Sequence, residues 1–510
     1  MDQQTQELLD KQQIKDVIAR YCRGCDRLDR TLLESVYWPD ARDSHGTFEG
    51  DGRAVVDFIL KSLDGLVTQH FIGNCLIEME SATRARGETY VIALHQYDTR
   101  FHGEEFAVGA RYVDKFEKRG EEWRIIDRTL IFDYSRNTAK SPTTRYADLP
   151  NWGSKKKGAD PIHRILGPET KISASTIQDV IDKQQIRQLI MQYCRGADRN
   201  DKALFASVYW PDATDDHGVF NGDAAGFVEF AQGSLAPLKT QHMIGNVLIE
   251  MESPTRAKAE SYVTAFHRAD SHFGGQEFIV GARYVDIVEK RDGVWKFLHR
   301  TLAYDYTQST PTTETSRYDH LDTLGKKFPD DLIYKQTYPK NPESPKPAQE
   351  ALDRQAIEEV LVRYSRGIDR LDRKILESVY WPDATDSHGP GYVGKAPGFI
   401  DWVLGYLAPM KTQHFLGNSI IAFDSPTTAH GETYVNAYHQ IPTRFGKEEL
   451  VAGARYLDRF EKRNGEWRIA DRICIIDHSR RTAATESNRY DNIQWKGAKS
   501  PDDPIYRLLG

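Results

Sequence analysis

A chain of 510 residues exceeds what one hydrophobic core serves and predicts several domains; its 39% hydrophobic and 28% charged residues exclude wholesale disorder. The net charge of -7, with no basic block, excludes the electrostatic footprint of a nucleic-acid binder. No apolar run approaches the ~18 residues of a membrane span, and the polar opening Met1-Asp2-Gln3-Gln4 has no secretory character, so a cytoplasmic protein is expected.

From the amino end, Ile14, Val17, Ile18, Tyr21, Cys22 and Cys25 recur at helical spacing and predict an amphipathic helix. Asp26 borders its apolar arc. Thr31 to Tyr37 reads as a second short helix that ends before Pro39, followed by a Trp-Pro-Asp turn. Ala54 to Leu63 gives a third helix. The period then changes to two, and strands are expected at His70–Met79, Thr89–Tyr97, Glu105–Lys118 and Trp123–Tyr134. The Arg119-Gly120 pair joins the last two into a long hairpin. Helices followed by an antiparallel sheet make an α+β pattern. A curved sheet wrapped around the helices would form a cone with a pocket inside.

The pattern occurs three times. Tyr21 to Asp26 with Tyr37-Trp38-Pro39-Asp40 and His45 returns as Tyr193 to Asp198 with Tyr209-Trp210-Pro211-Asp212 and His217. It returns again as Tyr364 to Asp369 with Tyr380-Trp381-Pro382-Asp383 and His388. A period of about 170 residues is that of whole domains rather than solenoid units. The expected domains are 1–172, 173–344 and 345–510, three tandem cone-shaped α+β barrels. Each ends in a tail that also repeats: Pro161-Ile162-His163-Arg164, Leu332-Ile333-Tyr334-Lys335 and Pro504-Ile505-Tyr506-Arg507. A spacer has no reason to end the chain as a third copy, so the tails are expected to dock on a domain surface. Cys22 and Cys25 form a CxxC, but the equivalent pairs are Cys194 with Ala197 and Ser365 with Ile368. Small or apolar helix-face residues explain all six, and redox chemistry is not expected.

Strict alternation puts His70, Ile72, Asn74 and Leu76 on one strand face, suggesting a polar patch in an apolar pocket. His242 with Asn246 and His414 with Asn418 are the equivalents. The helix aspartates Asp26, Asp198 and Asp369 need partners if buried, and an imidazole is the natural one. A carboxylate that accepts from one ring nitrogen fixes the tautomer and leaves the other as a base near neutral pH. Further recurring groups are His45, His217 and His388, and His95, His267 and His439 in a strand. Arg128, Arg300 and Arg472 follow the tryptophan strand. No HxH, HExxH or paired-Cys spacing supports a metal site, and neither a glycine-rich phosphate loop nor a Gly-x-Ser-x-Gly elbow is present.

Tyr21, then Asp26 five positions on, then His70 opening a strand after the helices, resembles the SnoaL-like branch of the NTF2-like superfamily. The similarity is to the scytalone dehydratase, bile-acid 7α-dehydratase and hexachlorocyclohexane dehydrochlorinase group. It covers about 125 residues of each copy. The resemblance implies a histidine base oriented by an aspartate, hence the pairs Asp26/His70, Asp198/His242 and Asp369/His414. It also implies substrate contacts from Tyr21, Tyr193 and Tyr364, and from the late arginines Arg128, Arg300 and Arg472. The histidines His45, His217, His388, His95, His267 and His439, with Asn74, Asn246 and Asn418, complete the expected substrate-binding set. Several relatives are homotrimers, so three fused copies imply an intramolecular pseudo-trimer that needs no second chain. Cys25, Ala197 and Ile368 stand where scytalone dehydratase has a tyrosine, so its way of hydrating the substrate carbonyl does not carry over. The expected activity is a cofactor-independent, dehydratase-like lyase acting on a small cyclic or aromatic substrate, with no nucleic-acid or membrane partner. An isomerase or cyclase of the same fold, or a noncatalytic small-molecule binder, is the alternative.

Overall fold

A computed structural model describes residues 2–46, 48–96, 104–139, 176–269, 276–311, 326–327, 329–335, 347–443, 446–483, 498–500 and 502–508. Helix α1 (Gln3–Arg27) starts at Asp2, whose side chain accepts from the Thr5 N–H, satisfying one of the orphan donors of a helix start. Its predicted apolar positions are buried. It stops at Leu28, held at φ 53° with its N–H returned to Cys25 and Gly24 carbonyls. The left-handed cap leaves Asp26 in the last helical turn. Helices α2 (Arg30–Val36) and α3 (Gly52–Ser62) are capped by Asp29 and Asp51.

Strands β1 (Tyr37–His45), β2 (Phe48–Asp51), β3 (Val67–Ser81), β4 (Arg84–Gln96), β5 (Glu104–Arg119) and β6 (Glu122–Ala139) form one sheet in the order β2-β1-β6-β5-β4-β3. The four long antiparallel strands are those expected. Tyr37 was expected to end a helix and Trp38-Pro39-Asp40 to form a turn; the structure corrects this, since all four lie in β1. It pairs in parallel with β6, and the register shifts between Tyr37 and Arg42. Pro39 sits inside that irregularity, where its missing N–H breaks no ladder bond. Helices α1 and α3 lie in the concavity of the sheet, and the buried Ile14, Val17, Tyr21, Val56, Ile59, Val91, Tyr112 and Ile125 pack there into one core.

The second copy repeats this with helices Ile177–Arg199, Lys202–Ser207 and Ala224–Leu235. Its strands are β7 (Tyr209–Asp216), β8 (Asn221–Asp223), β9 (Lys239–Ser253), β10 (Arg256–Ala269), β11 (Gln276–Arg291) and β12 (Val294–Pro311). The third has helices Pro347–Arg370, Arg373–Val379 and Ala396–Leu407. Its strands are β13 (Tyr380–Ser387), β14 (Val393–Lys395), β15 (Lys411–Ser425), β16 (Thr428–Thr443), β17 (Gly446–Arg463) and β18 (Glu466–Ala483). Each copy has its own sheet of the same strand order and its own core.

The three domains close into a ring through β3, β9 and β15. Phe71, Tyr90, Met243, Tyr262 and Phe415 share an apolar cluster across the interfaces, while Leu8, Leu9, Val180, Ile181 and Ala351 join the starts of the three long helices. Strands approach so closely that a Cβ on Gly73 would stand 2.4 Å from the Leu416 carbonyl oxygen. At that point β3 bulges between Ile72 and Cys75. The extra residue shifts the alternation, and Asn74 turns out of its domain into the next. Its Nδ2 donates to the His414 carbonyl (2.9 Å), and its Oδ1 accepts the Leu416 N–H (2.7 Å). Asn246 makes the same two bonds to His70 and Ile72 at 3.0 and 2.8 Å, and Asn418 to His242 and Ile244 at 3.0 and 2.6 Å. Each asparagine therefore frames the backbone of another domain's strand histidine.

Two of the tails lie partly within the described residues, and both dock. Asp331 accepts from Arg199 of the middle domain (3.3 Å) and from Arg455 of the third (2.7 Å). Asp503 likewise joins Arg370 of the third domain (3.2 Å) to Arg111 of the first (2.8 Å). Lys327 and Lys499 donate to the carbonyls of Asp198 and Asp369, at the helix ends that carry the expected catalytic carboxylates. The motif Pro161 to Arg164 falls outside the described residues. Among the described residues, no helix is long and apolar enough to cross a membrane.

Candidate active site

The last turn of α1 and the start of β3 bring Asp26 and His70 together. The carboxylate is fully buried. Its Oδ1 lies 2.7 Å from His70 Nδ1, and its Oδ2 accepts the His70 N–H at 3.0 Å. The middle and third domains repeat the 2.7 Å contact in Asp198–His242 and Asp369–His414. With the carboxylate on Nδ1, the imidazole carries its proton there and keeps Nε2 as the basic nitrogen.

Burial pushes the Asp26 carboxyl up, but the charge and hydrogen bonds of His70, helped by Arg27, outweigh it and hold the group below its ordinary value. The same balance sets Asp198 and Asp369 well below the carboxylate range. A folded pKa depressed below the unfolded ~3.9 adds stability that is complete above that pH and is lost as the pH falls through the folded value. The variant Asp26→Asn/Asp198→Asn/Asp369→Asn is therefore expected to be less stable at neutral pH. Its denaturant midpoint should also decline less steeply than the parent's as the pH is lowered below ~4. Parallel declines in urea titrations would show that these carboxylates carry no net stabilisation.

In the first domain His70 opens on a chamber of about 170 Å³. Tyr21, His45 and His95 line it beside apolar walls from Phe58, Ile59, Leu63, Val91, Val108 and Phe132. The chamber of the middle domain is about 520 Å³ and holds Tyr193, His217, His242 and His267. Ala231 stands there in place of Ile59, which widens it. In the third domain Tyr364 meets His388 (3.5 Å), and His414 faces His439 with ring centres 5.3 Å apart. Trp402 and Tyr406 stack nearby where the other domains have phenylalanine and serine. The His95 and His267 rings sit edge-on to the base histidines at 5.7 and 5.4 Å. Burial and the neighbouring base histidine push His267 and His439 down to about 3, so both are neutral in the working range.

Two expected contacts are corrected. Asn74, Asn246 and Asn418 do not join the chambers, because the bulge directs them into the domain interfaces. Asn74 and Asn246 border a separate cavity of about 150 Å³ between the domains that contains none of the paired acids and imidazoles. Arg128, Arg300 and Arg472 do not reach substrate space either. Arg128 is fully buried, holds Asp114 through two bonds of 2.6 and 2.7 Å, and lies 4.1 and 4.2 Å behind the Tyr21 and Tyr112 rings. Arg300 and Arg472 do the same with Asp286 and Asp458. These arginines back the tyrosines; each gives Nε and Nη2 to its aspartate and keeps a buried Nη1 without a hydrogen-bond partner, and neither Arg128 nor Arg300 lines its domain's chamber.

One set of residues escaped sequence reasoning. Asp43, Asp215 and Asp386 are buried and face the ring nitrogens of His45, His217 and His388. The Asp-x-His spacing holds the signal, since residues two apart in a strand share a face, but only if the segment is known to be a strand. Among the described residues no three His, Cys, Asp or Glu side chains gather to hold a metal ion. Cys22 and Cys25 are free thiols that burial pushes far up.

A family model described as SnoaL-like domain matches residues 6–129, 178–301 and 349–473, most of the chain. The chain belongs to the SnoaL-like family. Among solved structures, this SnoaL-like chain is similar to a hexachlorocyclohexane dehydrochlorinase (type 2) at 23% identity, covering 28% of this chain and 99% of that one with a TM-score of 0.26. A putative scytalone dehydratase from Novosphingobium aromaticivorans is 22% identical over 28% of this chain and 100% of its own, TM-score 0.25. A type 3 dehydrochlorinase from Novosphingobium barchaimii is 21% identical over 27% and 94%, TM-score 0.25. No curated protein matches the chain.

Proposed function

We propose that each SnoaL-like domain is a cofactor-independent lyase of the dehydratase type. The observation that carries this reading is the buried carboxylate at 2.7 Å from the Nδ1 of an imidazole in all three domains, with the imidazole opening on an apolar chamber in the first two. His70, His242 and His414 take a proton from a carbon of a small cyclic or aromatic substrate through Nε2. Asp26, Asp198 and Asp369 hold the tautomer and stabilise the imidazolium that forms. The chamber walls are largely apolar side chains, and apolar rings fit that lining. The similar proteins are named for dehydration and dehydrochlorination, both eliminations of a small fragment. An isomerase on the same site would move the proton and lose nothing. Mass spectrometry of product against substrate separates the two: a product lighter by the lost fragment is expected, and one of unchanged mass would replace elimination by isomerisation.

A further inference from the structure

The second pairing of acid and imidazole is built as carefully as the first. In the middle domain Asp215 is buried with one oxygen on the Tyr209 hydroxyl (2.5 Å) and the other in contact with His217 Nδ1. The opposite nitrogen of that ring, Nε2, lies 3.1 Å from the Tyr193 hydroxyl. Phe227 stacks on the imidazole at 4.2 Å and fixes its plane. Tyr193 and His217 line the same chamber as the base His242. The third domain repeats the chain as Asp386, His388 and Tyr364. In the first, Asp43 lies 3.2 Å from His45, and His45 and Tyr21 share the chamber of His70.

We propose that Asp215–His217–Tyr193, with its counterpart Asp386–His388–Tyr364, is a proton-delivery relay that protonates a departing hydroxyl. The substrate class is thereby a carbon acid with a hydroxyl on the adjacent carbon, and the fragment lost is water. This rests on the lyase reading above. A halide leaves without a proton and has no use for such a relay, whereas hydroxide is a poor leaving group until protonated. In the step, His242 Nε2 takes the proton from carbon and the C–H pair becomes the new C=C bond. The C–O bond breaks with its electrons on oxygen. That oxygen takes the Tyr193 proton, Tyr193 is reprotonated from the His217 imidazolium, and water departs. His242 ends protonated and His217 neutral, and solvent exchange restores the starting state. Burial pushes the Tyr193 hydroxyl far above its ordinary value, so it enters the step protonated. Tyr193 is the catalytic acid; His217 and Asp215 position and recharge it.

The test uses the full chain with His70→Ala and His414→Ala, so that only the middle domain works, and two probes. Nitrobenzisoxazole opens by proton abstraction alone, because its phenoxide leaves unaided. The aldol of benzaldehyde and acetone needs both a base and an acid to lose water. His217→Gln is expected to lower kcat for the aldol about 10²-fold more than it lowers kcat for benzisoxazole opening. His242→Ala should abolish both reactions. Equal losses on both probes in His217→Gln, or none, would overturn the relay while leaving the base assignment intact, as would a parent that opens benzisoxazole but spares the aldol. Turnover of both probes surviving His242→Ala, or no reaction of either in the parent, would remove the base and the relay together.

Discussion

Replacing the three strand histidines at once, His70→Ala/His242→Ala/His414→Ala, is expected to lower turnover by about 10²- to 10⁴-fold, the range a positioned general base supplies, and to leave the fold intact. The fold survives because each aspartate keeps the backbone N–H of the residue that replaces its histidine. What is lost is one charge-assisted bond per domain, a cost of roughly 1.5–3 kcal/mol each. Steady-state kinetics beside circular-dichroism melting checks both halves. Each single variant should leave the other two domains working, since each has its own carboxylate and its own imidazole. Undiminished turnover in the folded triple variant would end the assignment.

Asn74→Ala/Asn246→Ala/Asn418→Ala is expected to have the largest effect on stability. Every asparagine satisfies one buried carbonyl and one buried N–H of another domain, so the triple change orphans three of each. At roughly 1–3 kcal/mol per buried unpaired group, the loss is comparable with the whole margin of ~5–15 kcal/mol typical of folded domains. Urea unfolding should shift to much lower midpoints, and sedimentation should report an opened chain. The carbonyl in question belongs to the base histidine itself. Asn246→Ala alone should therefore impair the His70 site more than the His242 site of its own domain, measured with the other sites silenced. Unchanged unfolding would show the asparagine ring to be incidental.

The relation between the two predictions explains why the copies are joined. The histidine that does the chemistry is held on its side-chain end by an aspartate of its own domain and on its backbone by an asparagine from another. A fused chain keeps those partners at high effective concentration, and the docked tails at Asp331 and Asp503 brace the same helix ends.

Much of this was legible because it is local. Helical spacing from Ile14 to Cys25 fixed which face of α1 is buried and hence that Asp26 meets the core. The change to period two marked the long strands, and threefold repetition set the domain count. The meeting of Asp26 with His70 followed from the need of a buried carboxylate for a partner. The rest depended on residues far apart in the chain. Strict alternation put Asn74 beside His70, but β3 bulges where the third domain approaches Gly73, and the bulge reverses the faces. Tyr37 read as the end of a helix and Trp38-Pro39-Asp40 as a turn, because a helix stops before a proline. The pairing of β1 is with β6, some eighty residues on, and only that pairing aligns Asp43 and His45 on the chamber. Arg128 read as a cation for the substrate, but Asp114, across the hairpin, takes its Nε and Nη2 and holds it behind the tyrosine rings.

The sequence by itself determined three α+β domains, a carboxylate near the end of each first helix and an imidazole opening each third strand, since periodicity and repetition are properties of neighbouring residues. Only the tertiary structure decided which polar groups face the chambers and which seal the ring. That choice is set by strand register and by the approach of one domain to another, and a single extra residue in a strand is enough to reverse it.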